Sequence, residues 1–494
     1  MTGEALLAGI VAVPFACGSA ALFCRSARAL RLTVRIGAAA GLALAALALV
    51  LPNAAPPPGV LELDGLSRVL LAVTAAVGAL SAAESFSYWD ADLALGAAEP
   101  PPGRGLPRVR GYFFWHQAFV GSLLAAALSG NLGLSWVAIE ATTVTSAVLV
   151  GFAATREAVE AAWKYVVLCS VGLALVLLTV ILFYALSGGG GLRALDWTAL
   201  RSAAAAFPTG PAKLAYIFAL VGLGTKSGLA PLHAWLPDAH SEAPAPVSAL
   251  LSGVLLATVL CTLVRVAGIT AAATGPALPF RLLLGAGVVS VAVATPFIML
   301  QEDLKRLLAY SSIEQIGLMA VGFGCHVPVA AAGAVLQLIV HAFAKSGLFF
   351  AAGHVSARAG THRLGRLRAL ARSAPLLGGA LLFGVVTLGG LPPFGMFWSE
   401  IDILRGALAV DAGLGLALLL LLGAIFGGLL FHAGRAAFGT APGRARRPTR
   451  VPPRAAAVLL ACAIASVAAG FVTPPAVSRG VSAAAAQSLG GPAL

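Results

Sequence analysis

The chain has 494 residues, 59% of them hydrophobic and only 10% charged, with a mean hydropathy of +0.94. Soluble domains carry about 25% charged residues, so this composition excludes an ordinary cytosolic enzyme. The net charge of +13 would point to nucleic acid in a soluble domain, but here the charges lie in the breaks between apolar stretches, which argues for membrane topology and against a nucleic-acid partner.

A bilayer core takes about 20 apolar residues per helix. Such stretches follow one another at 4–24, 36–52, 65–88, 113–130, 132–152, 163–186, 212–236, 244–268, 281–301, 306–325, 328–356, 373–408, 411–436 and 453–472. The predicted fold class is all-α: a polytopic membrane protein of about fourteen transmembrane helices. The first stretch lacks a basic leading segment and is long enough to span, so it reads as a retained helix and not a cleaved signal. Alternate loops hold most of the 32 Lys and Arg: Arg25 to Arg35, Arg104 to Arg110, Arg156, Lys305 and Arg306, Arg358 to Arg372, and Arg435 to Arg454. The opposite loops hold Arg68, Arg193, Arg201, Lys213, Arg265, Arg281, Arg405 and Arg479. The basic side is cytoplasmic by the positive-inside rule, which predicts both termini outside.

Two spans are interrupted. KSGLAPLHAWLPDAH places Pro231 and Pro237 in the seventh, and LGGLPPFGMFWSE places Gly389, Gly390, Pro392, Pro393 and Gly395 in the twelfth. Proline removes a helix donor, and irregular backbone at membrane depth survives only where protein or a water-filled cavity satisfies it. Ile139-Glu140 in the fifth span and Ile313-Glu314 in the tenth are echoed by Lys226 and Glu400, each 86 residues further on. The expectation is two inverted five-helix repeats with interrupted helices 7 and 12. Residues 1–110 would form the first three helices, 111–270 the first repeat, 280–436 the second, and 452–494 a final helix and tail.

Each ionisable group at bilayer depth costs about 2.5–3.5 kcal/mol or more, so Glu140, Lys226, Glu314, Lys345, Glu400 and Asp402 require partners or water. Glu140 beside Lys226 would keep both ionised, and a passing proton would neutralise the acid and release the lysine. Such coupling makes a proton relay; the bland alternative is a static ion pair. His341 and Lys345 stand four apart on one helical face, and imidazole loads and unloads near neutral pH. Lys164, His233, His240, His354 and Asp402 are accessory candidates, while His116 and His432 read equally well as structural. The six cysteines sit singly in apolar segments and read as small buried hydrophobes. No C-x-x-C, H-E-x-x-H, P-loop or G-x-G-x-x-G element is present, so no metal or other cofactor is expected, and SGGGG at 187–191 reads as a loop. A polytopic transferase would need an acidic metal motif, and Asp90 with Asp92 in WDAD is a lone pair.

VGLGTKSGLAPLHAWLPDAHSEAPAPVSALLSGVLL, QEDLKRLLAYSSIEQIG, HAFAKSGLFF and GGLPPFGMFWSEIDIL occur in that order. They resemble the antiporter-like subunits shared by NADH:quinone oxidoreductase (subunits L, M and N), the multisubunit Na+/H+ antiporters and the membrane-bound hydrogenases. The resemblance covers roughly residues 110–420. The wording SEAPAPVSALLSG and AYSSIE is most similar to component F of hydrogenase-4-type complexes. The resemblance implies a relay whose stations match Glu140, Lys226, His341, Lys345 and Glu400, with no catalytic centre in this chain. It implies as partners other membrane subunits, a peripheral redox arm, the lipid bilayer and protons or Na+, in a bacterial plasma (inner) membrane. One position departs: subunit M types carry a lysine in the eighth span where this chain has Ala257. The alternative is a subunit of a Na+/H+ antiporter with no redox partner.

Overall fold

The computed structural model describes residues 3–50, 60–90, 105–440, 451–471 and 475–489. A bilayer offers no hydrogen bonds, so a spanning backbone must satisfy itself within the segment, and an α-helix does so. In chain order the helices are α1 Gly3–Leu22, α2 Ala27–Val50, α3 Gly65–Tyr88, α4 Leu106–Leu128, α5 Leu132–Val150, α6 Arg156–Leu186, α7 Trp197–Ala203, α8 Thr209–Ser227 and α9 Trp235–Glu242. They continue as α10 Ala245–Thr274, α11 Ala277–Leu300, α12 Leu304–Gly324, α13 Pro328–Ala359, α14 Pro375–Leu388, α15 Gly395–Val410, α16 Ala412–Phe438, α17 Pro453–Phe471 and α18 Pro475–Ser488. Among the described residues, eleven helices are long and apolar enough to cross a membrane. The remaining expected spans fall on the shorter or more polar α4, α8, α14 and α15. Extended pairing among the described residues is confined to isolated bridges, Leu61 to Ser129, Asn131 to Asp196 and Asp303 to Arg363.

Polar residues at the helix starts satisfy the first free N–H groups. Asn131 Oδ1 accepts from Gly133 N at 2.9 Å, Thr155 Oγ1 from Ala158 N at 3.1 Å, and Asp303 Oδ1 from Lys305 N at 2.9 Å. Several starts lie earlier than the hydropathy pattern predicts. Helix α2 begins at Ala27 and so contains Arg28, Arg31 and Arg35; a long arginine stem lets the backbone stay helical beside apolar surface, and Arg31 pairs with Asp90 at 3.7 Å. Arg265, inside α10, and Lys305, in the first turn of α12, likewise belong to buried helical positions and not to loops. The C-terminal α18 is a further helix that the expected tail did not include.

The bundle is apolar outside, and its largely apolar interior holds buried polar clusters. Leu420 on α16 is 75% exposed and Leu300 on α11 is 80% exposed, as lipid-facing positions should be, whereas the span window of α10 is entirely buried. Around α10 lie α3, α8, α12 and α13. At one end Asp64 caps α3 through Ser67 N at 2.8 Å, accepts from Arg265 Nη2 of α10 at 2.8 Å, and bonds Gln487 of α18. Burial alone would raise the Asp64 carboxyl, but the Arg265 guanidinium outweighs it and holds the group below its ordinary value of 3.8.

Candidate functional site: two buried lysines beside broken helices

Helix α8 ends at Ser227, one residue after Lys226, and Gly228 caps it with φ +78°. The irregular segment before α9 is satisfied by protein: Leu229 N donates to Gly224 O at 2.9 Å, Ala230 N to Ser290 Oγ of α11 at 2.8 Å, and Trp235 Nε1 to Thr225 O at 2.8 Å. Lys226 is fully buried. Its ammonium donates to Thr143 Oγ1 of α5 at 2.9 Å and to the Tyr165 hydroxyl of α6, and lies 4.4 Å from the Tyr165 ring centre. Tyr165 also bonds Ser146 Oγ at 2.7 Å. The direct Glu140–Lys226 ion pair read from the sequence is not the arrangement seen. Glu140 Oε1 accepts from Ser170 Oγ at 3.3 Å, and its buried Oε2 has no hydrogen-bond partner. Neutral hydroxyls and an aromatic face, not a carboxylate, hold the cation.

The second cluster surrounds Lys345 on α13, which is also fully buried. Its ammonium donates to Leu308 O of α12 at 2.7 Å and to Ser311 Oγ. Glu314, three residues beyond Ser311 and so on the same helical face, accepts from Gln315 Nε2 at 3.2 Å through Oε1, while Oε2 is buried without a partner. Gln315 also donates to Leu388 O at 3.4 Å, where α14 breaks, and accepts from Gln337. Ser399 Oγ donates to Gln337 Oε1 at 2.5 Å, next to Glu400, which is 9% exposed. Gly390, at φ +64°, faces the Glu400 carboxyl so closely that a Cβ would collide with it.

Two imidazoles stand near Lys345. His341 and His240 are fully buried, and neither ring nitrogen of either has a hydrogen-bond partner; His240 stacks on Phe349 of α13 at 5.1 Å. Buried polar groups of this kind are satisfied by ordered water. Here α10 contains a π-helical turn, Leu251–Leu255, an irregularity that recurs at functional sites. At Gly253 the helix approaches α13 so closely that a Cβ would sit 2.9 Å from Ala342 O. Ser252 on the same turn bonds Ser312 Oγ of α12 at 2.7 Å. Ala257, one turn on, is 1% exposed and offers no polar atom.

The other candidates lie apart from these clusters. Lys164 is partly exposed at the basic end, paired with Glu160 Oε1 at 2.8 Å and Asp238 Oδ2 at 3.2 Å. Asp402 pairs with Arg405 at 3.4 Å, and His233 is half-buried in the break, 6.5 Å from the Tyr310 ring. His354 contacts Glu84 Oε1 of α3 at 2.5 Å. His116 bonds Ser81 Oγ at 2.8 Å and His432 contacts Met299 O at 3.1 Å. Asp90 pairs with Arg31 at 3.7 Å and with Arg454, whereas Asp92 lies outside the described residues. Sequence reasoning passed over Thr143, Tyr165, Ser311, Gln315, Gln337 and Glu84, and read Gly390 only as part of the break. Two carried a signal: Thr143 is one turn from Glu140, and Gln337 precedes His341 and Lys345 at steps of four.

Residues 129–427 match the family described as NADH:quinone oxidoreductase/Mrp antiporter, transmembrane. A hydrogenase-4 component F homolog from Methylacidiphilum infernorum is 37% identical over 387 residues, covering 78% of this chain and 80% of that protein. NADH-quinone oxidoreductase subunit N from Desulforudis audaxviator is 33% identical over 298 residues, covering 60% of this chain and 58% of that protein. A chain of the Mrp complex from Dietzia sp. shares the fold with a TM-score of 0.85 at 21% identity, covering 99% of this chain and 100% of that chain. These family, sequence and fold matches agree with the broken helices and the buried charges. The chain belongs to the NADH:quinone oxidoreductase/Mrp antiporter family and is one of its antiporter-like, ion-translocating, multi-pass membrane subunits.

Proposed function

We propose that this subunit carries protons through a relay of Glu140, Lys226, His341, Lys345, Glu314 and Glu400, within a hydrogenase-4-like or NADH dehydrogenase-like respiratory complex. The observation that carries this reading is the pair of fully buried lysines, Lys226 at a helix break and Lys345 within a continuous helix, each bonded to neutral oxygens. An ammonium so placed gives up its proton at lower cost than one in a tight ion pair, because no carboxylate is left unmatched. The buried ring nitrogens of His240 and His341 and one carboxylate oxygen each of Glu140 and Glu314, which have no protein partner, support water as the bridge past the apolar Ala257. The two breaks support two repeats within 111–270 and 280–436. The arginine-rich face lies on the cytoplasmic side of a bacterial inner membrane, and a peripheral redox arm supplies the driving reaction.

The family unites redox complexes with Mrp antiporters, so the second reading is an antiporter subunit driven by gradients alone. Purification in mild detergent and identification of the co-purifying subunits separates the two. Iron-sulfur or nickel-containing partners are the expected result, and recovery with antiporter subunits alone would overturn the redox assignment.

A further inference from the structure

We propose that Glu84 and His354 form a proton-loading site between the arginine-rich face and Lys345; this rests on the relay reading above. Glu84 on α3 is 2% exposed, and its Oε1 lies 2.5 Å from His354 Nε2 of α13. Its Oε2 is buried without a hydrogen-bond partner. One helical turn outward, Ser87 accepts from Arg454 Nε at 3.1 Å, and Arg454 and Arg31 both reach Asp90, so the carboxyl stands just inside the ionic surface. The His354 side chain is 17% exposed, so the pair is not sealed from outside the bundle. Inward, α13 runs nine residues from His354 back to Lys345, about 13.5 Å at 1.5 Å per residue.

Helix α13 is drawn against the start of α10 at Gly353, where a Cβ would collide with Ala245. Ser81, one turn before Glu84, donates to Pro246 O at 2.8 Å. The pair therefore sits where α3 and α13 converge on the start of α10. A carboxylate with a single imidazole partner is neutral when the two share one proton. A second proton leaves a net positive charge, and loss of the first leaves an unmatched carboxylate in a water-poor interior. The pair thus accepts one proton from the surface and passes one on; no other bond is made or broken.

The test uses the complete complex in liposomes, with dye-reported proton uptake. Glu84→Gln preserves a hydrogen bond to His354 but holds no proton, so uptake should fall roughly tenfold or more while assembly is retained. Glu84→Asp should restore part of the rate. An infrared carboxyl band that shifts in heavy water should be present in the parent and missing in Glu84→Gln. Lys226→Met in parallel reports on the relay itself. If Lys226→Met stops uptake while Glu84→Gln runs at the parental rate, the loading site is refuted and the relay stands. If Lys226→Met also runs normally, both are refuted. Should Glu84→Gln fail to assemble, His354→Asn must show the same loss, and parental uptake in that variant overturns the proposal.

Discussion

Lys226→Met removes the ammonium while keeping an unbranched side chain of similar length. The two groups that hold the ammonium each keep another partner: Thr143 Oγ1 reaches Ile139 O at 3.3 Å and Tyr165 bonds Ser146 at 2.7 Å. Methionine therefore strands no buried polar group. Two hydrogen bonds from a charged donor, about 1.5–3 kcal/mol each, are lost, and the burial cost of the charge, about 2.5–3.5 kcal/mol, is relieved. The terms largely cancel, leaving a net destabilisation between about zero and about 3.5 kcal/mol and a fall in Tm of no more than about 4 °C. Proton movement should fall about a hundredfold or more, the low end of what a positioned proton carrier contributes. The assays are thermal unfolding in detergent and dye-reported proton uptake by the complex in liposomes. Parental uptake in an assembled Lys226→Met complex would refute the relay. Loss of assembly together with uptake would instead make the lysine a structural anchor.

Gly390→Ala should lower both stability and transport, because the left-handed backbone costs about 1–2 kcal/mol for a residue with a Cβ and the methyl displaces the Glu400 carboxyl; Gly379→Ala, with nothing within 4 Å, should leave Tm and uptake unchanged. Arg265→Ala leaves Asp64 buried without its cation and should cost about 3–5 kcal/mol near neutral pH. Because the folded carboxyl titrates below its ordinary 3.8, this contribution is present above 3.8 and is lost as pH falls through the lower folded value. The Tm difference from the parent should shrink on acidification, and a constant difference would contradict the pairing. His341→Ala should reduce proton uptake as severely as Lys226→Met, because the apolar gap at Ala257 leaves the imidazole as the protonatable group beside Lys345; normal conduction would place the bridge elsewhere.

The helices and the class of chemistry were legible in the sequence because both follow from local composition. An apolar stretch in a solvent without hydrogen bonds has to be helical, glycine and proline mark where it breaks, and an ionisable residue in such a stretch is costly enough to signal function. The edges were less legible. Arginines at 28, 31 and 35 read as loop but belong to α2, since a long side chain lets the backbone stay helical while its charge reaches water. Arg265 and Lys305 read as loop charges for the same local reason, and only packing reveals that Asp64 neutralises one while the carbonyls of Ser241 and Ala243 hold the other at 3.1 and 2.7 Å.

What the tertiary structure alone decided is which groups meet. From sequence, Glu140 and Lys226 were natural partners because opposite charges attract. The bundle instead places Thr143 and Tyr165 around the ammonium, 83 and 61 residues away in the chain, and neutral hydroxyls scattered through apolar helices have no periodicity that would give them away. Glu84 stood in AAESFSYWD at the end of a span, where an acid is unremarkable; its histidine partner lies 270 residues further on. Hydropathy is summed along the chain and so determines where helices run, whereas a proton passes only between atoms a few ångströms apart, and that proximity is set by how the helices pack around α10.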